Sequence, residues 1–308
     1  MKKVRRISAI YILATGLLVF AIQPAFAQQP QKGTPPGAGA PAAAPPSEAA
    51  PAGAAPAKKP GEASLAEKAT DPTAILTQLQ FQNIFTPSTY DSHGYSNTFI
   101  IQPVIPISKK GFIPTQVIRP TLPLSVSTAD PDGPLGETST IGDLVLFDIF
   151  LPERKSWGQW GLGPIFVLPT ANSDLTGQGK WQVGPAFVVF YSKIKKWQLG
   201  GLVQNPISFA GDDDRPATSK FQFQPIVIRH FSKGWYAGTG DLQYSYDWLT
   251  ETYNLPFNFK IGKVQKIGSR TVNLFAQPFW TPEDFQSGGK GQYGFKLNVT
   301  FLLPEINF

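Results

Sequence analysis

Apolar and polar residues alternate along most of the chain from about residue 76 onward. In the stretch QYGFKLNVTFLL (292–303), aromatic and aliphatic residues take every second position, and Lys296, Asn298 and Thr300 lie between them. A period of two places the two sets on opposite faces of a β-strand. Exposing a lysine to hydrocarbon near the bilayer midplane costs about 2–4 kcal/mol. We therefore expect the apolar face to meet lipid and the polar face to line a lumen.

The same period recurs in a series of runs separated by clusters of turn residues. Twelve runs are found, near 76–86, 96–107, 114–126, 139–151, 157–169, 180–191, 195–208, 219–230, 234–247, 254–266, 270–281 and 290–303. Soluble strands have typically about five or six residues, whereas a tilted membrane strand needs about nine to eleven. The sequence therefore predicts an all-β fold, an antiparallel transmembrane β-barrel of about 12 strands.

The connections between the runs alternate in length and charge. One set is short and basic, such as SKKG with Lys109 and Lys110, and the other is longer and acidic, such as AGDDDRPATS at 210–219. Short turns on one rim and long loops on the other are typical of barrels in the bacterial outer membrane. An even number of strands places both ends of the barrel on the rim of short turns. The alternative, a water-soluble β-sandwich, would pack its aromatic faces together and use shorter strands.

The first 27 residues are built like a secretory signal peptide. Lys2, Lys3, Arg5 and Arg6 form a basic head, an apolar run follows at 7–22, and Ala25-Phe26-Ala27 fits a cleavage site. The alternative is an N-terminal membrane anchor, but the apolar run is short for a spanning helix. We expect residues 1–27 to direct export and the mature chain to reside in the cell outer membrane.

Two further segments precede the barrel, which we assign to residues 76–308. Residues 28–62 are rich in Pro and Ala and lack core-forming residues, so a disordered linker or tether is expected. Residues 63–75 form a short connecting segment. Within it, Ser64-Leu-Ala-Glu67 has the spacing of a capping box and predicts one or two helical turns.

Composition argues against several chemical functions. The chain has no Cys and two His, so neither a disulfide framework nor a thiolate metal site is possible. Without the four basic residues of the leader, 23 basic residues remain against 21 acidic ones, and nucleic acid is not expected as a partner. His93 and Asp212-Asp213-Asp214 are the candidates for hydrolysis and cation binding, and both fit loop positions better. We expect no enzyme, no cofactor and no metal.

Several polar residues fall on the predicted lumen face. The candidates for lining the lumen are Arg119, Asp148, Gln222, Gln224, Asp241, Gln243, Asp247, Lys260 and Lys296. Two interpretations stay open, because twelve strands lie between filled eight-stranded barrels and open sixteen-stranded porins. These side chains either line a narrow polar path or form a hydrogen-bonded and ion-paired network that fills the barrel.

Prolines interrupt five of the predicted strands. They are Pro103, Pro164, Pro185, Pro225 and Pro278. Proline has no N–H to donate to a ladder and is normally excluded from interior strands. One interpretation is local curvature of the wall. The other is a weakened wall that opens sideways and passes apolar molecules into the bilayer.

Several longer motifs carry a family resemblance. They are GLGPIFVLPTA, GKWQVGPAFVVF, QLGGLVQNPISFAGD, FQPIVI, GWYAGTGD and VNLFAQPFWT. With these motifs, residues 75–303 resemble bacterial outer-membrane proteins of the "MetA-pathway of phenol degradation" family. The resemblance implies an outer-membrane β-barrel with a role in substrate passage linked to the catabolism of aromatic compounds. It implies no catalytic or ligand-binding residues.

These observations predict passive passage of small molecules across the outer membrane, apolar or aromatic ones among them. The alternative is a plugged structural barrel that anchors partners or the cell wall through its tether and loops. The expected partners are outer-membrane lipid, a small-molecule solute, and the barrel-insertion machinery, which would engage the C-terminal strand ending in Phe308.

Overall fold

The structure, a computed structural model, describes residues 64–303 except for 91–93, 110, 113, 129–136, 175 and 288–290. The predicted signal peptide, the linker at 28–62, His93 and Phe308 lie outside the described residues.

The described part of the chain contains one short α-helix and sixteen strand segments. The helix is α1 (Leu65–Thr70). The strand segments are β1 (Thr77–Thr89), β2 (Tyr95–Ile107), β3 (Thr115–Thr128), β4 (Glu137–Ile141), β5 (Leu144–Leu151), β6 (Gly158–Leu168), β7 (Lys180–Tyr191), β8 (Trp197–Gln204), β9 (Ile207–Gly211), β10 (Lys220–His230), β11 (Trp235–Thr239), β12 (Tyr244–Asp247), β13 (Tyr253–Asn254), β14 (Phe257–Ile267), β15 (Arg270–Trp280) and β16 (Gly291–Leu303). No helix in these residues is long and apolar enough to cross a bilayer.

The segments form a closed antiparallel barrel of twelve strands. Four strands are interrupted, so that β4 and β5, β8 and β9, β11 and β12, and β13 and β14 each trace a single strand. The last strand pairs with the first, with a register that begins at Thr77 opposite Leu303. Both ends of the barrel therefore lie on one rim. The prediction of an antiparallel twelve-stranded barrel is confirmed.

The two rims differ in their connections. Short connections such as 192–196, 231–234 and 268–269 join strands at the rim where the barrel begins and ends, which we call the turn rim. Longer connections such as 169–179 and 212–219 join strands at the opposite rim, which we call the loop rim. This is the arrangement that the alternation of connection lengths predicts.

The two faces of β16 follow the period of two. Lys296, Asn298 and Thr300 face the lumen and are at most 5% exposed, whereas Tyr293 and Phe295 face outward and are 49% and 42% exposed. Most large apolar side chains on the other strands also point outward. A sandwich would bury such a face against a second sheet. A closed barrel with an exposed apolar belt instead has the outer surface that a bilayer covers.

Tryptophans on the outer face lie near both rims. Trp197 and Trp235 are close to the turn rim, and each has a cation over its ring, Arg229 at 5.2 Å and Lys263 at 5.3 Å. Trp248 and Trp280 are near the loop rim and more than half exposed. An amphipathic ring with a neighbouring cation suits the boundary between hydrocarbon and headgroups.

One predicted face is wrong at Tyr236. A strict period of two over the run 234–247 predicts an outer face that holds Tyr236, Leu242, Tyr244 and Tyr246. Tyr236 is instead 1% exposed and lies inside the barrel, and Leu242 lines a cavity of the lumen. The register of β10 with its neighbour shifts by one residue between the pairs Ile228–Gly238 and Phe223–Tyr244. A one-residue shift exchanges the two faces of a strand. Consequently β11 and β12 have opposite alternation.

Each of the five strand prolines interrupts the ladder on one side only. Pro103 pairs with Leu79, and Pro164 pairs with Pro185, without a break. On the other side of Pro103, the pairing of β2 with β3 stops after Ile101 and resumes at Ile105. Comparable gaps lie between β5 and β6, β7 and β8, β10 and β11, and β14 and β15. The missing N–H explains the gaps, and sideways opening stays a hypothesis.

Tyr236 offers a test of the inward orientation of β11. Its hydroxyl donates to Asn273 Oδ1 at 2.8 Å, and both side chains are buried. Its ring also packs over Gly262, where a Cβ would lie 2.4 Å from the ring. Tyr236→Phe leaves the Asn273 oxygen without its donor, so we expect the free energy of unfolding to fall by about 1–3 kcal/mol. Urea titration of the barrel in phospholipid vesicles measures it.

Tyr246→Phe is the matched control, because Tyr246 faces outward on β12. An equal loss of stability in both variants would contradict the inward position of Tyr236.

Candidate functional site in the lumen

A short helix precedes the barrel and has the predicted cap. Ser64 is the N-cap of α1, and its Oγ accepts from the backbone N–H of Glu67 at 3.2 Å. The Glu67 carboxylate accepts in return from the backbone N–H of Ser64. The capping box that the spacing Ser64-x-x-Glu67 predicts is therefore present, and it allows so short a helix to form.

The segment that contains this helix lies inside the barrel at the turn rim. We call residues 64–76 the plug. Ala74 and Leu76 are buried among inward-facing side chains of the wall, including Ile226, Ile228 and Tyr236, and Ala66 and Ala69 of α1 pack against the same cluster. The sequence analysis kept a plugged barrel as the alternative, but it treated 63–75 as a connection and did not assign the plug to these residues.

Polar contacts hold the plug to the wall. Thr70 Oγ1 donates to Gln198 Oε1 at 2.6 Å, and Gln198 Nε2 donates to the backbone oxygen of Glu67 at 2.9 Å. His230 Nε2 lies 2.8 Å from Gln198 Oε1. The position of His230 at the end of a strand on the basic rim predicts contact with a turn or a lipid headgroup. That prediction is wrong, because His230 is buried and faces the plug. The sequence analysis did not find these contacts, because nothing in the sequence of the plug indicates that it lies inside the barrel.

An ion pair fixes the end of the helix. Arg154 Nη2 donates to Asp71 Oδ2 at 2.7 Å, and the Asp71 side chain is 4% exposed while that of Arg154 is 44% exposed. The other oxygen of Asp71 accepts from the backbone N–H of Thr73 at 2.8 Å. These contacts attach the plug to the connection between β5 and β6 at the turn rim.

The wall beside the plug is apolar on its inner face as well as its outer face. Val117, Ile149, Ile165, Val188 and Leu202 are each 1% or 2% exposed and form a continuous cluster across β3 to β8. This cluster and the plug together fill the half of the lumen near the turn rim. A small cavity of about 120 Å³ lies between the plug and the wall.

The half of the lumen near the loop rim contains a larger cavity of about 470 Å³. Glutamines line much of it and hydrogen-bond to one another across strands. Gln204 Nε2 donates to Gln222 Oε1 at 2.9 Å and lies 3.2 Å from Gln243 Oε1. Gln82 Nε2 similarly donates to Gln102 Oε1 at 2.9 Å. The amides therefore satisfy much of their own hydrogen-bonding capacity and give the cavity a polar wall.

The connection 169–179 folds over this cavity from the loop rim. Asp143 accepts from the backbone N–H groups of Ala171 at 3.2 Å and Gln178 at 2.7 Å. Thr176 Oγ1 donates to the backbone oxygen of Ile141 at 3.2 Å. Because Asp143, Thr176 and Gln178 also line the cavity, this connection forms part of its wall.

A charged cluster lies where the two cavities meet. Lys296 Nζ donates to Asp241 Oδ1 at 2.9 Å, and their side chains are 6% and 21% exposed. Lys260 and Arg119 also interact electrostatically with Asp241. Arg119 stacks on the Phe147 ring, with its guanidinium carbon 4.5 Å from the ring centre. We call Arg119, Asp241, Lys260 and Lys296 the charged cluster; three cations share one carboxylate.

Most of the predicted candidates lie on the walls of these cavities. Those that the structure places there are Arg119, Gln222, Gln224, Asp241, Gln243, Lys260 and Lys296. Asp247 faces inward at the loop rim but does not line either cavity. Its Oδ1 accepts from the backbone N–H groups of Ser219, Leu249 and Thr250, so it holds the connection after β12.

The predicted orientation of Asp148 is wrong. Arg119 pairs with Phe147 across β3 and β5, and both side chains line the lumen. The next residue of β5 must point the other way, so Asp148 lies on the outer face beside Ile118. Its expected place in the lumen is wrong because β5, LVLFDIFL, is apolar on both faces. One of its carboxylate oxygens is buried and has no hydrogen-bond partner in the part of the chain that the structure describes.

Comparison with known proteins places the fold. The crystal structure of the COG4313 outer membrane channel from Pseudomonas putida F1 is similar, with a TM-score of 0.55 and 16% sequence identity over 74% of this chain and 93% of that chain. The KdgM porin is a weaker match, with a TM-score of 0.42 and 9% identity over 74% of this chain and 99% of that one. No family model and no curated protein match this sequence. The chain therefore has the fold of an outer-membrane channel, and the resemblance to the phenol-degradation family is not confirmed.

The charged cluster predicts a strong dependence of stability on Asp241. Asp241→Asn removes the carboxylate that offsets three cations, so we expect the free energy of unfolding to fall by about 3 kcal/mol. Asp241→Asn combined with Lys296→Met should recover at least half of that loss, because the unpaired ammonium is gone. Urea titrations of the three proteins in vesicles measure these differences.

Asp213→Asn is the control, since Asp213 is exposed on the connection 212–219. If the double variant were no more stable than Asp241→Asn, the electrostatic explanation would fail.

Proposed function

We propose that this protein lies in the outer membrane and allows passive passage of small polar solutes, with a preference for anions. The observation that carries the proposal is the excess of cations in the charged cluster, at the point where the two lumen cavities meet. Cations at a constriction favour anions in a pore. The exposed apolar belt and the fold shared with an outer-membrane channel support the membrane location.

The apolar or aromatic solute that the sequence predicted is less well supported along this path. A neutral apolar molecule would have to desolvate Lys296, Asp241 and Arg119 without replacing their interactions, which costs free energy. A small anion compensates for the same desolvation by pairing with the cations. We therefore propose anions as the class that passes most readily.

The plug sets the resting state in this proposal. Residues 64–76 fill the turn-rim half of the lumen, so passage requires the plug to shift. Its attachment consists of a small apolar cluster, the contacts of Gln198 and the Arg154–Asp71 pair. We propose that the closed arrangement is the major state and that displacement of the plug produces conducting events.

The competing function is a barrel that stays closed and serves as a structural anchor. The filled turn-rim half and the mutual hydrogen bonding of the glutamines favour it. Single-channel recording separates the two functions, because a permanently closed barrel gives no current at any voltage whether or not the plug is loosened.

Loosening the plug is the first test of this function. Arg154→Gln removes the cation that pairs with Asp71, a loss of about 1 kcal/mol for a pair with one half-exposed partner. We expect the fraction of time spent in conducting states to rise roughly fivefold. Recordings in planar bilayers measure that fraction.

Lys155→Gln is the matched control, because Lys155 is adjacent in sequence, exposed and outside the plug contacts. Equal open fractions in Arg154→Gln and the unaltered protein would argue against the plug as the gate.

Charge selectivity is the second test. Lys260→Gln removes one cation from the charged cluster, so we expect the ratio of chloride to potassium permeability to fall at least twofold. The reversal potential of open events under a potassium chloride gradient gives this ratio. Lys263→Gln on the same strand should leave it unchanged, because Lys263 faces outward over Trp235. An unchanged ratio in Lys260→Gln would refute anion selection by this cluster.

A further inference from the structure

The loop-rim cavity has two chemically different sides. On the side formed by β7 to β12 its wall is made of amides such as Gln182, Gln204 and Gln222. On the side formed by β2 to β6 its wall is mostly apolar. We call the apolar side the lumen patch, and its residues are Ile100, Pro123, Val145, Phe147, Ile165 and Val167.

The residues of the lumen patch form three pairs of neighbours across the strands. Ile100 lies opposite Pro123, Val145 opposite Val167, and Phe147 opposite Ile165. Directly opposed residues of an antiparallel pair have their side chains in contact on one face. An apolar surface, interrupted on β3 by Thr121 and Arg119, therefore borders an otherwise polar cavity.

The cationic side chain of Arg119 lies beside the lumen patch. Arg119 pairs directly with Phe147, and its guanidinium lies against the Phe147 ring. The Arg119 Nε is buried and has no hydrogen-bond partner among the described residues. The Arg119 side chain lines the cavity, so an anion bound there would pair with the guanidinium charge. Lys296 lines the same cavity and adds a second positive charge.

Acidic groups nearby do not cancel this attraction. Asp241 already accepts from Lys296 Nζ. Asp143, the other carboxylate on the cavity wall, accepts from two backbone N–H groups at the far, loop-rim end. The region around Arg119 therefore keeps a positive potential beside an apolar surface.

We propose that the loop-rim cavity binds a small monocarboxylate with an apolar body, its carboxylate at Arg119 and Lys296 and its hydrocarbon on the lumen patch. The cavity volume of about 470 Å³ is in the range of sites for small molecules. This inference rests on the proposed function for the route by which the solute enters. It narrows the anions of the proposed function to amphipathic organic ones.

The test compares two anions that differ only in their apolar body. Calorimetric titration of the full chain in detergent with sodium hexanoate and with sodium acetate gives the two dissociation constants. A methylene group that leaves water contributes a factor of about four. Hexanoate has four more methylenes than acetate. If two of them are buried on the lumen patch, hexanoate should bind at least tenfold more tightly than acetate.

Two variants separate the charged end from the apolar end. Arg119→Gln should weaken binding of both anions at least tenfold. Val145→Thr keeps the side-chain shape but makes the lumen patch more polar, so it should weaken hexanoate at least threefold and leave acetate unchanged. Val183→Thr is the control, because Val183 faces outward and is 37% exposed. Resistance of each folded barrel to unfolding by SDS confirms that the variants are comparable.

Equal affinities for hexanoate and acetate, or an equal effect of Val145→Thr on both, would overturn the proposal. Its failure is distinguishable from that of the proposed function. Hexanoate binding with no current through the open-plug variant Arg154→Gln would support the site and refute the channel. Current without preferential hexanoate binding would support the channel and refute the site.

Discussion

Closure of the backbone ladder is the constraint on which the rest of this structure depends. In hydrocarbon a backbone N–H or C=O has no water to bond, so every strand needs a partner on both sides. The register of β16 with β1 supplies the last pair and removes both sheet edges. Only then can all twelve strands turn an apolar face outward while their inner faces enclose one lumen. The lumen, its plug and its charges are consequences of this closure.

The prolines show how far the constraint can be relaxed. Each of the five prolines lies in a strand that is paired without a break to one neighbour and has a gap in its pairing with the other. The two strands on either side of each gap form a hairpin that is closed by a connection at the turn rim. The covalent turn keeps the two strands together where hydrogen bonds are missing. At Pro225, the oxygen that would be left over accepts from the Thr239 hydroxyl at 2.8 Å, so a side chain replaces part of the ladder. The wall is therefore locally weakened without an open edge.

Sequence alone predicted most of the fold and less of the site. The period of two is strong in β16 because Lys296 and Asn298 cannot face lipid cheaply, and it placed those side chains correctly. The same reasoning failed at Tyr236, because a one-residue shift of register after Gly238 has no sequence mark. It failed at Asp148 because both faces of β5 are apolar, so only the pairing of Arg119 with Phe147 determines its side. The capping box predicted α1, but its position inside the barrel depends on contacts with residues more than a hundred positions away.

The two halves of the lumen differ in polarity. The turn-rim half resembles a protein core, with apolar side chains and the plug excluding water. The loop-rim half keeps glutamines that bond to one another. A barrel that needed only stability would replace the charged cluster between them with apolar residues, since buried ion pairs are commonly no better than well-packed hydrophobic side chains. Three cations beside one carboxylate are still less favourable, because two positive charges lack a partner of opposite sign. Stability therefore does not account for Arg119, Lys260 and Lys296, and their excess positive charge is the observation behind the proposed preference for anions.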